Sequence, residues 1–232
     1  GIGTIIKHAV LHALPRKAVV TRLPPRNRVL ALTFDDGPRP VHTPRLLDLL
    51  RAQNARATFF LVGQAAEQHP RIVQRMVEEG HELGNHSFRH VKFAAMPAAQ
   101  QWSEIMQTNQ LLHRHDGRSV RWFRPPQGTL TPRMLLRLML GKQPIAMWSY
   151  DSLDYQRRGV DAIVRRFQAR PVNDGDVVLL HDDDGETIAA LDDRDAQLRV
   201  QYSQSKLDTA RVQAKLAAKR QAVSERLFRL GA

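Results

Sequence analysis

Two adjacent carboxylates are the residues of this chain that most clearly point to chemistry. Asp35 and Asp36 end the apolar run 29–34 and are followed by the breaker Gly37-Pro38. This pattern predicts a buried strand that runs into a tight turn. Neighbouring carboxylates ionise together at low cost only when a cation or a shared proton relieves their repulsion. We therefore expect ligands for a cation elsewhere in the chain.

His86 and His90 are the best candidates for those ligands. Their four-residue spacing predicts two imidazoles one helical turn apart and on one face. One Asp carboxylate and two imidazoles would form a three-ligand site with an open position, which is the arrangement of catalytic zinc. Taken alone, the Asp-Asp turn could be a capping turn and the histidines a surface pair. Their combination favours the metal site.

These two motifs belong to an ordered series of five. The others are 124–128 (Arg-Pro-Pro-Gln-Gly), 151–155 (Asp-Ser-Leu-Asp-Tyr) and 178–182 (Val-Leu-Leu-His-Asp). In this order and approximate spacing the chain resembles the polysaccharide deacetylases (NodB-homology domain, carbohydrate esterase family 4) over roughly residues 29–191. The resemblance implies a metal-dependent hydrolase that removes acetyl groups from N-acetylglucosamine-containing glycans, such as peptidoglycan, chitin-like polymers or an exopolysaccharide.

The resemblance also implies one divalent metal ion, held by Asp36, His86 and His90. Imidazole and carboxylate ligands suit zinc, which we expect first, but also cobalt, nickel and manganese. The acetylated glycan is then the expected partner of the site.

Four further residues match the family's catalytic positions. Asp35 would be the general base, and Arg124 would pair with it to keep it ionised and oriented. His181 would be the general acid that protonates the departing amine, paired with the carboxylate of Asp154. Without the resemblance, Arg124 would be an ordinary basic residue at a strand end.

The expected substrate-binding residues are Pro126, Gln127, Tyr155 and Leu179. Gln127 stands where the family often has an aromatic residue, and Tyr155 replaces the usual Trp while keeping a ring for sugar stacking. Leu179 matches the residue that lines the acetyl methyl pocket, although its apolar strand would equally make it a core residue. A further acidic run, 182–184, reads as a solvated loop or a second cation site.

Alternating strands and helices must position these residues. Strands are predicted at 29–34, 57–62, 82–85, 122–124, 145–150 and 176–181, and helices from Thr43-Pro44 onward and at 70–79, 97–113, 132–140 and 160–169. Such alternation implies parallel strands in an α/β fold, with every motif at the carboxyl end of a strand. Periodicity leaves a closed barrel and an open sheet both open, whereas the resemblance implies a distorted (β/α)7 barrel.

Both ends of the chain lie outside the expected catalytic domain, 29–191. Residues 1–28 form a lead-in segment whose apolar residues recur at helical spacing, which fits a helix packed on the domain or a membrane-surface anchor. The stretch 186–230 contains no Gly or Pro, so 192–232 is predicted as a long basic helical tail. The strand that usually closes the family fold is then missing.

Composition limits the remaining choices. The 232 residues include no cysteine, which excludes a disulfide framework and a thiolate metal site. The net charge of +12 occurs without a nucleic-acid motif, so no nucleic-acid partner is expected.

The basic tail could contact an anionic cell wall or membrane surface. No apolar run is long enough for a membrane-spanning helix. The expected activity on glycans such as peptidoglycan predicts an extracytoplasmic location.

Two other functions share these motifs. An O-acetyl esterase of the xylan type would need the same metal site. A carbohydrate-binding pseudoenzyme is a different class, which the missing closing strand favours and the intact catalytic residues oppose.

Overall fold

A computed structural model describes residues 11, 14–15, 18–24, 29–91 and 93–192. Within them the strands are β1 Val19–Val20, β2 Ala31–Asp35, β3 Thr58–Leu61, β4 Glu82–Asn85, β5 Ile145–Ala146, β6 Tyr150–Asp151 and β7 Val177–His181. The α-helices are α1 His42–Ala52, α2 Gly63–Gln68, α3 Pro70–Glu78, α4 Ala98–Asp116, α5 Pro132–Leu140, α6 Val160–Ala169 and α7 Gly185–Asp192. None of these helices combines the length and the apolar character needed to cross a membrane.

The strands pair in parallel, which confirms the predicted α/β fold. Five of them form a sheet of order β4-β3-β2-β7-β6, and β1 pairs with β5. Single parallel bridges join Phe123 to Asn85 at the end of β4 and to Ile145 in β5, so Phe123 connects the two groups. The β2 register sets Asp35 beside Phe60 of β3 and His181 of β7.

The alternation along β2 and β7 separates a packed face from a polar face. Leu32 and Phe34 of β2, with Val178 and Leu180 of β7, belong to the main hydrophobic core. Successive side chains of a strand point to opposite faces. The odd-numbered residues of both strands, which include Asp35 and His181, therefore share the face opposite the core.

Two predicted strands differ from the structure. The strand 122–124 is reduced to the single bridged residue Phe123. The strand 145–150 is split into β5 and β6, because the carbonyls of Ala146 and Met147 accept hydrogen bonds from the Arg124 guanidinium instead of a neighbouring strand. Ser149 then donates its backbone N–H to Val177, which brings the chain to β7.

The start of the first helix also differs from the prediction. Helix α1 begins at His42 with Val41 as its N-cap, and Thr43 lies buried inside the first turn. The Thr43 hydroxyl accepts a hydrogen bond from the backbone N–H of Arg39 and donates one to Asp182. Helix α2 was not predicted, because its six residues are too few to show an apolar period.

The chain ends are described only in part. The predicted lead-in segment supplies β1, which the sequence did not predict, and its remaining residues 1–10, 12–13, 16–17 and 25–28 lie outside the described ranges. The predicted helical stretch begins as α7, and the basic tail beyond residue 192 lies outside the described residues.

Gly84 of β4 provides a test of this packing. A Cβ added there would lie 2.4 Å from Cδ1 of Phe60. We expect Gly84→Ala to lower the free energy of unfolding by about 1–3 kcal/mol, because the ring must move within a filled interior. Urea denaturation followed by circular dichroism measures this change. Gly185→Ala is the matched control, since its Cβ would have no neighbour closer than 4.0 Å. Equal stability of the two variants would contradict the packing argument.

Candidate metal centre

Asp36 leaves the line of β2 because its backbone is left-handed, with φ of 73°. Aspartate adopts this conformation more readily than most residues because its short polar side chain can bond locally. The following Gly37-Pro38 peptide bond is cis. Because of the left-handed backbone at Asp36, Asp35 stays in the strand while the Asp36 carboxylate is directed toward the neighbouring strand ends.

His86 and His90 lie in a tight loop after β4, and the predicted helical turn between them is wrong. Ser87 and His90 are left-handed, with φ of 66° and 52°. The Asn85 side-chain oxygen accepts the Ser87 N–H at 2.8 Å, and the Ser87 hydroxyl accepts the His90 N–H at 3.2 Å. These local bonds bring the two imidazole centroids to 4.9 Å.

A buried carboxylate, Glu104 of α4, holds the middle of this loop. It accepts the backbone N–H groups of Phe88 and Arg89 at 2.9 and 2.8 Å, and the Arg89 Nε–H at 2.6 Å. Glu104 was not among the residues predicted from the sequence. The only sequence feature that points to this residue is its position, because it is an acidic residue on the face of the predicted helix that packs inward.

The ligand atoms of Asp36, His86 and His90 converge. Asp36 Oδ1 lies 3.4 Å from His86 Nε2 and 3.1 Å from His90 Nε2, and one ligand atom from each residue lies within 4.8 Å of the others. Asp36 Oδ1 is buried and accepts no hydrogen bond from any described residue. A buried acceptor facing two imidazole nitrogens fits a divalent cation, so the predicted triad forms a group that could hold one.

The protonation of these groups suits metal binding. The carbonyl of Arg124, which can only accept, lies 2.7 Å from His86 Nδ1, so that nitrogen carries the proton and Nε2 keeps its lone pair. Burial lowers the pKa of His90, which favours the neutral ring. Burial alone would raise the pKa of Asp36, but contact with His86 and the charges of His86, His90 and His181 hold it well below its usual range.

Arg124 is fully buried and binds the neighbouring Asp35. Its Nη1 donates to Asp35 Oδ1 at 2.7 Å and to the Thr33 hydroxyl at 2.8 Å. Its Nε and Nη2 donate to the carbonyls of Ala146 and Met147 at 3.2 and 3.0 Å. The structure thus brings Arg124 and Asp35 together as the sequence predicts. It also shows Thr33 as a further hydrogen-bond partner of Arg124, which was not predicted.

The Arg124 charge also rests on an aromatic ring. The guanidinium carbon lies 4.0 Å from the centroid of Phe60. Burial lowers the pKa of Arg124, whereas the charge of Asp35 and the hydrogen bond to it act in the opposite direction. Arginine remains protonated in such sites, so the buried guanidinium stays charged.

His181 and Asp154 form a second pair on the same edge. His181 Nδ1 lies 2.8 Å from Asp154 Oδ1, and the His181 backbone N–H donates to Asp154 Oδ2 at 2.7 Å. Thr187 of α7 also donates to Oδ2, at 2.9 Å. Burial opposes the imidazolium, but the hydrogen bond and charge of Asp154, with the charges of Asp35 and Asp36, raise the pKa of His181 to about 9.

The four predicted substrate-binding residues occupy different environments. Tyr155 is 49% exposed, and its ring centroid lies 5.7 Å from that of His181 in an edge-on arrangement. Leu179 is buried and shares the strand face of His181. Pro126 is buried and Gln127 exposed, in a short 3-10 turn where Gln127 has φ of 57°.

Trp148 supplies a ring next to that turn. A Cβ on Gly128 would lie 2.4 Å from Cη2 of Trp148, so only glycine allows the indole this close. Gly128 also has φ of 62°, which glycine adopts without strain. Trp148 was not predicted as a site residue, because it lies within the predicted strand 145–150.

The acidic run after β7 is not a solvated loop throughout. Asp182 is fully buried beside Gly37, and burial raises its pKa to about 7 against the opposing hydrogen bond from Thr43. Asp183 pairs with Arg157 at 2.9 Å, and Asp184 accepts the Glu186 N–H at 2.8 Å at the start of α7. The prediction is therefore wrong for Asp182, whose burial depends on residues distant in sequence.

The fold and site define a class: a parallel α/β protein with one Asp-His-His cluster beside two ionic pairs at the carboxyl edge of its strands. The polysaccharide deacetylase family model matches residues 22–140. The chain belongs to the polysaccharide deacetylase family.

Individual relatives agree with this membership. The chain is 34% identical over 190 residues to the peptidoglycan-N-acetylglucosamine deacetylase PgdA of Listeria monocytogenes, covering 81% of this chain and 40% of that protein. A Bacillus cereus peptidoglycan-N-acetylglucosamine deacetylase is 35% identical, covering 76% and 84%. The crystal structure of the peptidoglycan N-acetylglucosamine deacetylase Bc1960 superposes with a TM-score of 0.73 at 34% identity, covering 79% and 87%. The chain thus spans well under half of the Listeria relative.

The His181–Asp154 pair predicts a large pKa change in one variant. Asp154→Asn keeps the side-chain size but removes the charge, so we expect the pKa of His181 to fall from about 9 toward its ordinary value of 6.5. An NMR pH titration of the imidazole in metal-free protein measures it. Asp48→Asn, in an exposed ion pair on α1, is the control and should leave this pKa unchanged. An unaltered His181 pKa in Asp154→Asn would show that the pair does not set it.

Proposed function

We propose that this chain is a metal-dependent deacetylase that removes acetyl groups from N-acetylglucosamine residues of a glycan, with peptidoglycan as the first candidate. The main support is that three features lie together at one edge of the strands. They are the Asp36-His86-His90 cluster, the Asp35–Arg124 pair and the His181–Asp154 pair. Membership in the family and the names of the relatives support it.

In this proposal Asp36, His86 and His90 hold one divalent ion, with zinc first and cobalt, nickel and manganese as alternatives. A bound ion supplies a Lewis acid for the acetyl carbonyl and acidifies water. The buried, unbonded Asp36 Oδ1 is what supports a cation at this position.

Asp35 is proposed as the general base. Arg124 occupies its Oδ1, which fixes the carboxylate. Oδ2 lies 3.7 Å from His86 Nε2, at the ligand cluster, and is free to accept a proton from the attacking water. The buried guanidinium thus stabilises the negative charge that a base needs.

His181 is proposed as the general acid. Because Asp154 holds Nδ1, the Nε2–H remains to protonate the departing amine. A pKa of about 9 keeps the ring protonated at neutral pH, before transfer. The backbone N–H of Gln127 would stabilise the oxyanion, because Pro126 has none and that of Gly128 donates to the Pro125 carbonyl. Tyr155, Leu179, Pro126 and Gln127 would then contact the sugar and its acetyl group.

Several wider features belong to the same proposal. We propose that the parallel strands close into a distorted (β/α)7 barrel and that residues 29–191 form the catalytic domain. We also propose an extracytoplasmic location and contact of the basic tail with an anionic surface. They rest on the family and on the net charge of +12.

Acetate release tests the activity directly. We expect the purified chain, loaded with zinc, to release acetate from peptidoglycan or chitooligosaccharides and to lose this activity on chelation. Poly-N-acetylglucosamine and acetylated xylan complete the panel. Release from acetylated xylan alone would indicate an O-acetyl esterase, and no release from any glycan would favour a carbohydrate-binding protein.

Asp35→Asn tests the assignment of the base. We expect metal content to stay near one ion per chain and turnover to fall by about 10²–10⁴, because a general base contributes that much. Elemental analysis and acetate release measure the two quantities. His90→Ala is the contrasting variant, in which metal content itself should fall. Near-native turnover in metal-loaded Asp35→Asn would remove Asp35 from this role.

A further inference from the structure

A groove lies beside the proposed active site, on the side of the acidic run. It has a volume of about 290 Å³ and is lined by Arg39, Pro40, Val41, His42, Arg157 and Asp183. Val41 is 56% exposed and forms an apolar part of its wall. A groove with apolar and charged walls suits a sugar ring and its substituents.

Chain connectivity places this groove next to the reaction centre. Arg39 follows Asp36 by three residues and Asp183 follows His181 by two, so their Cα atoms lie within about 11 and 8 Å of those residues. Arg157 follows Tyr155 by two residues in the same way. A glycan with one sugar at the metal centre can therefore place its neighbouring sugar in the groove.

Of the two arginine side chains that line the groove, one forms an ion pair with a described residue and the other does not. Arg157 is occupied by Asp183 at 2.9 Å, with Asp184 at 3.9 Å from its Nε. The side chain of Arg39, in contrast, forms no hydrogen bond or ion pair with any described residue. Its backbone groups are used, because the N–H donates to the Thr43 hydroxyl and the carbonyl accepts the Thr43 N–H.

The remaining acids near Arg39 form no ion pair with it. Asp182 is fully buried, and its Oδ2 accepts the Thr43 hydroxyl while its Oδ1 has no hydrogen-bond partner among the described residues. The Arg39 charge acts on this carboxylate without a direct contact, and the Asp182 side chain does not reach the groove surface. Asp184 accepts the Glu186 N–H at the start of α7. Arg39 is thus an exposed guanidinium whose fork-shaped set of donors matches a carboxylate from outside the chain.

We propose that this groove is a subsite for a carboxylate carried by the sugar adjacent to the one being deacetylated, with Arg39 as its partner. The Arg157–Asp183 pair would hydrogen-bond the hydroxyls of the same sugar. The proposal rests on the deacetylase function proposed above and adds a preference for glycans that carry a carboxylate next to the deacetylated sugar. The carboxylate could belong to the lactyl group of muramic acid or to a uronic acid.

Matched tetrasaccharides test this proposal. One alternates N-acetylglucosamine with N-acetylmuramic acid whose lactyl group is a free carboxylate, and the second carries the carboxamide instead. A third alternates N-acetylglucosamine with glucuronic acid. Calorimetry on the full chain gives each Kd, and acetate release is measured in parallel.

We expect the carboxylate to bind about five- to tenfold more tightly than the carboxamide, as for a charge-assisted hydrogen-bonded pair. Arg39→Gln should remove this preference, and added salt should weaken it. Arg45→Gln is the control, because it removes the same charge from an exposed position of α1 that does not line the groove. The substitution at Arg39 retains the backbone bond to Thr43, so both variants should keep the native melting temperature.

The outcomes separate the two proposals. Equal binding of carboxylate and carboxamide, or a preference that survives in Arg39→Gln, overturns the subsite, whether or not acetate is released. A preference lost in Arg39→Gln supports it even without acetate release, in which case the deacetylase function alone fails. Preference for the lactyl or for the uronic carboxylate supports the subsite and identifies the source.

Discussion

The buried charge of Arg124 is the constraint on which the rest of the site depends. An unpaired guanidinium in a protein interior is very costly, and removing one partner of such a buried pair costs about 3–5 kcal/mol. Here the cost is offset by Asp35, Thr33 and two backbone carbonyls, with the Phe60 ring beneath. Each of these partners must keep its place for the charge to remain satisfied. The side chain therefore fixes the relative position of β2 and the segment after β5.

The backbone of Arg124 extends this constraint to the metal ligands. Its N–H donates to the Asn85 carbonyl at 2.9 Å, and its own carbonyl receives the His86 Nδ1–H at 2.7 Å. One residue thus orients the carboxylate proposed as base and an imidazole proposed as ligand. The relation also accounts for the interrupted strand after Ala146, since carbonyls that bind a guanidinium are not available to a neighbouring strand.

Much of the fold and site could be predicted because the relevant signals are local. Apolar runs marked β2, β3 and β7, and β4 was placed directly before His86. Parallel strands bring their carboxyl ends to one edge. An Asp-His-His set followed from side-chain chemistry, and the family resemblance selected Asp36 over Asp35 as its carboxylate, although the predicted helical turn was wrong. That loop depends on Asn85 and on Glu104 of another element, which no local period reveals. The burial of Asp182 likewise depends on the approach of Gly37 and Thr43, which are brought close only by the tertiary fold.

The carboxylates near the site illustrate how environment divides one chemical group into several roles. Burial alone would raise the pKa of Asp36, Asp154 and Asp182 alike. Imidazole partners reverse this for Asp36 and Asp154, whose pKa values are lowered, whereas the hydroxyl of Thr43 does not do so for Asp182. The same interaction that lowers the pKa of Asp154 raises that of His181. Titratable groups whose environments push their pKa values apart are what acid–base catalysis requires. The chemistry of the site therefore follows from the partner that the fold gives each carboxylate more than from the carboxylates themselves.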